Sequence, residues 1–95
     1  MIYPQRISMN IVNWTKDALR QLLKIDGRYQ KAIREKANAL SEFPSEALDT
    51  KKLKGEEGKW RLRVGNYRII FEVINGQPKI INIQAIKRRS ERTYS

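Results

Sequence analysis

Apolar residues recur along the first half of the chain at the spacing of helices. Two such stripes predict two consecutive helices, each burying one side. Thr15 is the expected N-cap of the first helix, because its hydroxyl can accept a hydrogen bond from the first turn. Pro44 ends the second helix, since proline disfavours helical backbone at the residue before it. The stripes are Ala18, Leu19, Leu22 and Leu23, then Tyr29, Ile33, Ala37 and Leu40.

In the second half of the chain the apolar residues alternate with polar ones, which predicts strands. Asn75-Gly76, between two such segments, indicates a hairpin, because a type I′ turn needs positive φ at both central positions. A short strand is also expected before the first helix. The predicted strands are 9–12, 52–54, 60–64, 67–74 and 79–86.

These elements predict an α+β fold with the order β-α-α-β-β-β. The helical hairpin should cover one face of a twisted, mostly antiparallel sheet and leave the other face open. Residues 9–95 are expected to form a single domain. Residues 1–8 lack periodicity and are expected to be a dispensable N-terminal extension.

Composition excludes several kinds of chemistry for this chain of 95 residues. It contains no cysteine and no histidine, so thiol nucleophiles, catalytic triads and the usual transition-metal sites are excluded. Carboxylates are not spaced as a metal clamp, and we expect neither a metal nor a cofactor. No apolar run approaches the roughly 20 residues of a membrane span. With no signal peptide evident, we expect a cytoplasmic protein without a membrane partner.

Positive charge is concentrated in the second half of the chain. The protein has 20 basic and 10 acidic residues, a net charge of +10. Residues 1–50 hold 8 basic and 6 acidic residues, a net of +2, whereas residues 51–95 hold 12 and 4, a net of +8. A polyanion, most plausibly nucleic acid, is the partner that such a segment predicts.

Strand alternation places several arginines on the open face. Where Leu62 and Val64 point to the core, Arg61 and Arg63 project from the opposite face, and Arg68 does so from the next strand. Arg88, near the end of the last strand, was expected to complete a positive patch that binds phosphate. The alternative is a solvated sheet face on which the arginines only provide solubility.

Several segments of the second half resemble the RelE/ParE superfamily of bacterial toxins, over about residues 9–95. The resemblance implies a RelE-like, microbial-RNase-type fold and a toxin of a type II toxin–antitoxin pair with a cognate antitoxin. RelE-like members cut mRNA in the ribosomal A site without metal, which inhibits translation, whereas ParE-like members inhibit DNA gyrase without nuclease activity. The segments are Lys52-Leu53-Lys54-Gly55, Trp60-Arg61-Leu62-Arg63-Val64, Asn66-Tyr67-Arg68-Ile69-Ile70-Phe71, Lys87-Arg88-Arg89 and Tyr94.

The RelE pattern also implies roles for individual residues. The catalytic set would be Arg63, Arg68, Arg88 and Tyr94, which favours a metal-independent endoribonuclease over a gyrase inhibitor. RelE carries lysines where this chain has the arginine pair. Arginine stays protonated near neutral pH, so the general base is left open between Tyr94, a ribosomal group and water. The residues expected to bind RNA phosphates are Lys54, Arg61, Arg63, Lys87 and Arg89.

Overall fold

A computed structural model describes residues 9–88 of the chain. The predicted extension 1–8 and two of the predicted site residues, Arg89 and Tyr94, lie outside this range. Within this range the chain forms two α-helices, one 3₁₀ helix and five strands. In chain order they are β1 (Ile11–Trp14), α1 (Lys16–Leu23), α2 (Gly27–Asn38), the 3₁₀ helix (Ala39–Glu42), β2 (Thr50–Lys52), β3 (Lys59–Val64), β4 (Tyr67–Ile74) and β5 (Ile80–Arg88).

The five strands form one mixed sheet in the order β1-β5-β4-β3-β2. β1 pairs in parallel with β5, and the other three pairings are antiparallel. Both helices pack on one face, so the predicted α+β class, helical hairpin and mostly antiparallel sheet are confirmed. We call the face without helices the open face. In this strand order β5, the last strand of residues 9–88, is an inner strand that lies between β1 and β4.

The short predicted strand 52–54 is displaced by two residues. β2 covers Thr50–Lys52 and pairs with β3 from Trp60 to Leu62. The Leu53 N–H donates to the Lys59 carbonyl, and the chain then turns through positive φ at Gly55 and Gly58. The strand ends early because these glycines turn the chain back towards β3.

Side-chain caps set where the helices begin. The Thr15 hydroxyl accepts from the Ala18 N–H, as predicted, and also donates to the Ile83 carbonyl in β5. Asp26 caps α2 by accepting from the Arg28 N–H. The Arg28 guanidinium, and then its backbone N–H, hold the pKa of the Asp26 carboxyl below its usual value. The α-helix ends at Asn38, and a 3₁₀ turn fills the remaining residues before Phe43 and Pro44.

The core lies between the helices and the covered face of the sheet. Leu62, Ile69 and Phe71 are fully buried, as their alternation predicts, and Val64 and Val73 are partly buried against them. Buried residues of the helices complete the core: Ala18, Leu22, Ile33 and Ala37, with Leu40 of the 3₁₀ helix.

A bulge interrupts β5 and changes the side on which its last residues lie. Phe71 is opposite Ile83, but the preceding residue, Ile70, is opposite Ala85, so Gln84 is an extra residue. One extra residue reverses the alternation beyond it. Ile86 therefore points to the core, Lys87 to the open face, and Arg88 to the covered side.

Candidate functional site

Three cations lie side by side across the open face. Arg63 of β3 is opposite Arg68 of β4, and Arg68 is opposite Lys87 of β5. We call these three residues the basic row. Opposed pairs in a sheet have Cβ atoms about 4.5–5.5 Å apart, so like charges meet at short range. Within residues 9–88 no carboxylate forms an ion pair with any of the three.

Arg68, in the middle of the row, has an unmet hydrogen-bonding requirement. Its Nε is buried, and no group in the described part of the chain accepts a hydrogen bond from it. The residue is half-buried, not exposed as the sequence suggested. A buried donor without a partner is costly, so the Nε needs an acceptor from outside residues 9–88. A bound oxyanion would supply both the acceptor and the negative charge.

Arg61 shares the open face but is already paired. Its guanidinium donates to the Asp49 carbonyl at 3.1 Å and to the Asp49 carboxylate at 3.2 Å. Only 14% of the Arg61 side chain is exposed. Arg61 was predicted to bind phosphate, but its charge is here balanced by Asp49. Lys51, its cross-strand neighbour on β2, is an exposed cation of this face that the sequence reasoning did not select.

Arg88 does not converge with the other predicted arginines. It is the last residue of β5, opposite Tyr67, and it lines a cleft with Tyr29 of α2 on the covered side of the sheet. The expectation that it joins the open-face patch is wrong, because the bulge at Gln84 reverses the alternation. Lys87 takes that place beside Arg68.

Lys54 also lies away from the basic row. It is in the loop between β2 and β3, before the first residue of β3, whereas Arg63 is near the last. Lys54 precedes Lys59, and Arg63 lies four residues beyond Lys59 in β3. At about 3.3 Å per residue, that length of strand is about 13 Å. Glu72 lies on the open face and accepts a hydrogen bond from the Gln84 side chain at 3.1 Å. It is four residues along β4 from Arg68.

Searches of known proteins place the chain among toxins. Residues 12–93 match the family described as the ParE toxin of type II toxin–antitoxin systems, parDE. Toxin RelE3 of Methanocaldococcus jannaschii is 35% identical over an alignment of 89 residues, and the match covers 87% of this chain and 96% of that protein. Within residues 9–88, no helix is long and apolar enough to cross a membrane.

Solved structures agree with this assignment. The RelE–RelB complex of Pyrococcus horikoshii OT3 has a TM-score of 0.71 at 26% identity and covers 88% of this chain and 99% of its own. The RelBE2 toxin–antitoxin complex of Mycobacterium tuberculosis has a TM-score of 0.69 at 28% identity and covers 85% and 99%. The chain belongs to the RelE/ParE superfamily and is a toxin of the type II toxin–antitoxin class.

Proposed function

We propose that this toxin is a ribosome-dependent endoribonuclease that cleaves mRNA in the A site. The observation that carries the proposal is the basic row, three neighbouring cations with a buried Arg68 Nε that has no partner within residues 9–88. Such a group fits a phosphodiester, whose charge rises as the phosphorus becomes pentacoordinate. Donors already in place for that charge are a strong source of catalysis.

The reaction uses a nucleophile that RNA itself carries. The 2′-oxygen attacks the adjacent phosphorus, and the bond from phosphorus to the 5′-oxygen breaks. The products are a 2′,3′-cyclic phosphate and a 5′-hydroxyl. Arg68 and Arg63 hold the non-bridging oxygens, and Lys87, in the place expected for Arg88, protonates the leaving oxygen. The proton of the 2′-hydroxyl goes to Tyr94, a ribosomal group or water.

The ribosome is needed because the row contains no conventional base. Glu72, a carboxylate of the same face, is four residues from Arg68, about 13 Å along an extended strand. When an enzyme places only cations at the phosphate, its cleavage rate increases most if a second molecule, here the ribosome, holds the RNA in a reactive geometry. Rapid metal-free cleavage of naked RNA would therefore contradict the proposal.

The test is single-turnover mRNA cleavage on programmed ribosomes, located by toeprinting. Arg68→Met should slow cleavage by about 10²–10³-fold, the usual loss for a preorganised charge contact. Its melting temperature should not fall, because the substitution removes a like-charge neighbour and an unpaired buried donor. Arg20→Met is the control, since Arg20 lies on α1 and pairs with Asp17. If Arg68→Met cleaved mRNA at the wild-type rate, the basic row would be excluded as the catalytic site.

A second candidate function is inhibition of DNA gyrase without nuclease activity. The match of residues 12–93 to the ParE toxin family favours it. A supercoiling assay with the purified toxin separates the two functions. Inhibition of gyrase without mRNA cleavage on ribosomes would replace the first proposal by the second.

A further inference from the structure

A cleft lies between α2 and the β3–β4 turn, on the other side of the sheet from the basic row. Its volume is about 280 Å³. Sites for drug-sized molecules begin at about 300 Å³, so this cleft has room for one ring system. We call it the tyrosine cleft. The residues used below are Tyr29, Ala32, Val64, Asn66, Tyr67 and Arg88.

The walls of the cleft offer aromatic faces. The Tyr29 and Tyr67 rings have centroids 6.0 Å apart and planes tilted by 47°, so they do not stack face to face. Tyr29 is 45% exposed, and the Arg28 guanidinium lies 5.2 Å from its ring centroid, so a ligand can reach the part of the ring that Arg28 and Tyr67 leave open. Ala32 and Val64 add apolar surface. A flat, unsaturated ring is the ligand that such walls fit.

Polar groups at the edge of the cleft restrict the ligand further. Arg88 lies opposite Tyr67 and is exposed, so its guanidinium can contact a phosphate or stack on a ring. Asn66, in the turn beside Gly65, has an amide that both donates and accepts hydrogen bonds. Aromatic surface, a cation and an amide together suit a nucleobase with its phosphate.

The cleft and the basic row meet at one end of the sheet. Lys87 and Arg88 are consecutive in β5 and point to opposite sides of it. Arg63 is two residues before the Gly65-Asn66 turn, about 7 Å along the strand. An RNA strand with phosphates on the row therefore reaches the cleft by passing around this turn.

We propose that the tyrosine cleft is a nucleobase subsite, which takes one unstacked base of the single-stranded RNA bound along the basic row. This inference rests on the proposed function, because it needs RNA on the row. Arg88 then positions the RNA from the covered side and does not contact the scissile phosphate. The cleft adds base contacts to a row that reads only phosphate.

The experiment measures equilibrium binding of the full-length toxin to a short single-stranded RNA. The RNA is compared with versions that carry one abasic site at each position in turn. Stacking of one base contributes about 1–3 kcal/mol, and 1.4 kcal/mol is a factor of ten. We expect one abasic position to weaken wild-type binding by about ten-fold. Tyr29→Ala should weaken binding of the intact RNA by the same factor, and it should leave binding of that abasic RNA unchanged.

Three variants complete the design. Tyr29→Phe keeps the ring and should restore binding. Leu23→Ala, an exposed apolar residue of α1 outside the cleft, should bind intact RNA like wild type. Arg68→Met should weaken intact and abasic RNA alike and make the salt dependence less steep, because it removes a phosphate contact.

The outcomes separate the two proposals. The subsite is overturned if Tyr29→Ala binds intact RNA with wild-type affinity. It is also overturned if the variant loses the same factor of affinity for intact and for abasic RNA. Neither outcome contradicts the basic row. Loss of antitoxin binding in Tyr29→Ala with unchanged RNA binding assigns the cleft to protein docking and overturns the subsite. RNA binding that is independent of Arg68 overturns the row instead.

Discussion

Arg68 combines two features that lower the stability of a folded protein. It faces a cation on each neighbouring strand, and its buried Nε has no partner within residues 9–88. Like charges on opposed strands are destabilising, and an unpaired buried donor costs about 1–3 kcal/mol. Functional sites often carry such a cost, since the groups that must bind a ligand are held ready before it arrives. A bound phosphate or carboxylate would remove both penalties.

Asp49 limits the positive charge that the open face presents. Asp49→Asn keeps the size of the side chain and the backbone carbonyl that binds Arg61, but it removes the carboxylate charge. We expect several-fold tighter binding of single-stranded RNA. The slope of log affinity against log salt should steepen by about 0.7, the value for one added phosphate contact on a single strand. Fluorescence titrations at several salt concentrations measure both quantities.

Asp17→Asn is the matched control for this variant. It changes the net charge by the same amount, but Asp17 pairs with Arg20 on α1, away from the open face. An equal gain in both variants would mean that only total charge matters and that Arg61 gains no contact.

At the scale of elements, the sequence predicted the helices, the Thr15 cap and the alternation of β3 and β4, but not which way the end of β5 faces. Ile81 and Ile83 point to the core, and uninterrupted alternation from them would place Arg88 on the open face. The extra Gln84 depends on the pairing with β4, since the adjacent residues Ile70 and Phe71 lie opposite Ala85 and Ile83 and leave Gln84 unpaired. The apolar pattern of β5 does contain a trace of the bulge, because Ile83 and Ile86 are three residues apart and strict alternation would point Lys87 to the core.

Thr15 joins two elements through one hydroxyl. It caps α1 at the Ala18 N–H and donates to the Ile83 carbonyl of β5 at 2.8 Å. Thr15→Ala should cost about 1–2 kcal/mol, and each kcal/mol lowers the melting temperature by about 4–8 °C in a domain of this size. Thermal unfolding followed by circular dichroism measures the change. Thr15→Ser keeps the hydroxyl and should retain most of the stability, and a loss equal to that of alanine would exclude the two hydrogen bonds as the cause.

At the scale of the whole molecule, the net charge of +10 bears on how the antitoxin is captured. We propose that the cognate antitoxin covers the open face. Its association rate should then fall at least ten-fold between low and high salt, while the dissociation rate changes little. Stopped-flow mixing measures both rates. Arg63→Gln should slow association more than Arg34→Gln, an exposed residue of α2, and equal effects would contradict docking on the open face.

The candidate site was predictable only where it follows local alternation. Arg63 and Arg68 were placed correctly because each lies in a regular strand beside a core residue. The pairing of Arg61 with Asp49 was not predictable, because it depends on how the loop before β2 returns to β3. The predicted roles of Arg89 and Tyr94 stay proposals, since both residues lie outside the described range.

The position of β5 has a consequence for the time at which the toxin becomes harmful to the cell that makes it. Within residues 9–88, β1 pairs only with Ile80–Ile83, far later in the sequence, and β4 pairs on the other side of the same strand. A growing chain that lacks residues 80–88 cannot join β1 to the rest of the sheet or bring Lys87 beside Arg68. The basic row therefore assembles only after residues 80–88 have been made. On the proposed function, a nascent chain without these residues should not cleave mRNA.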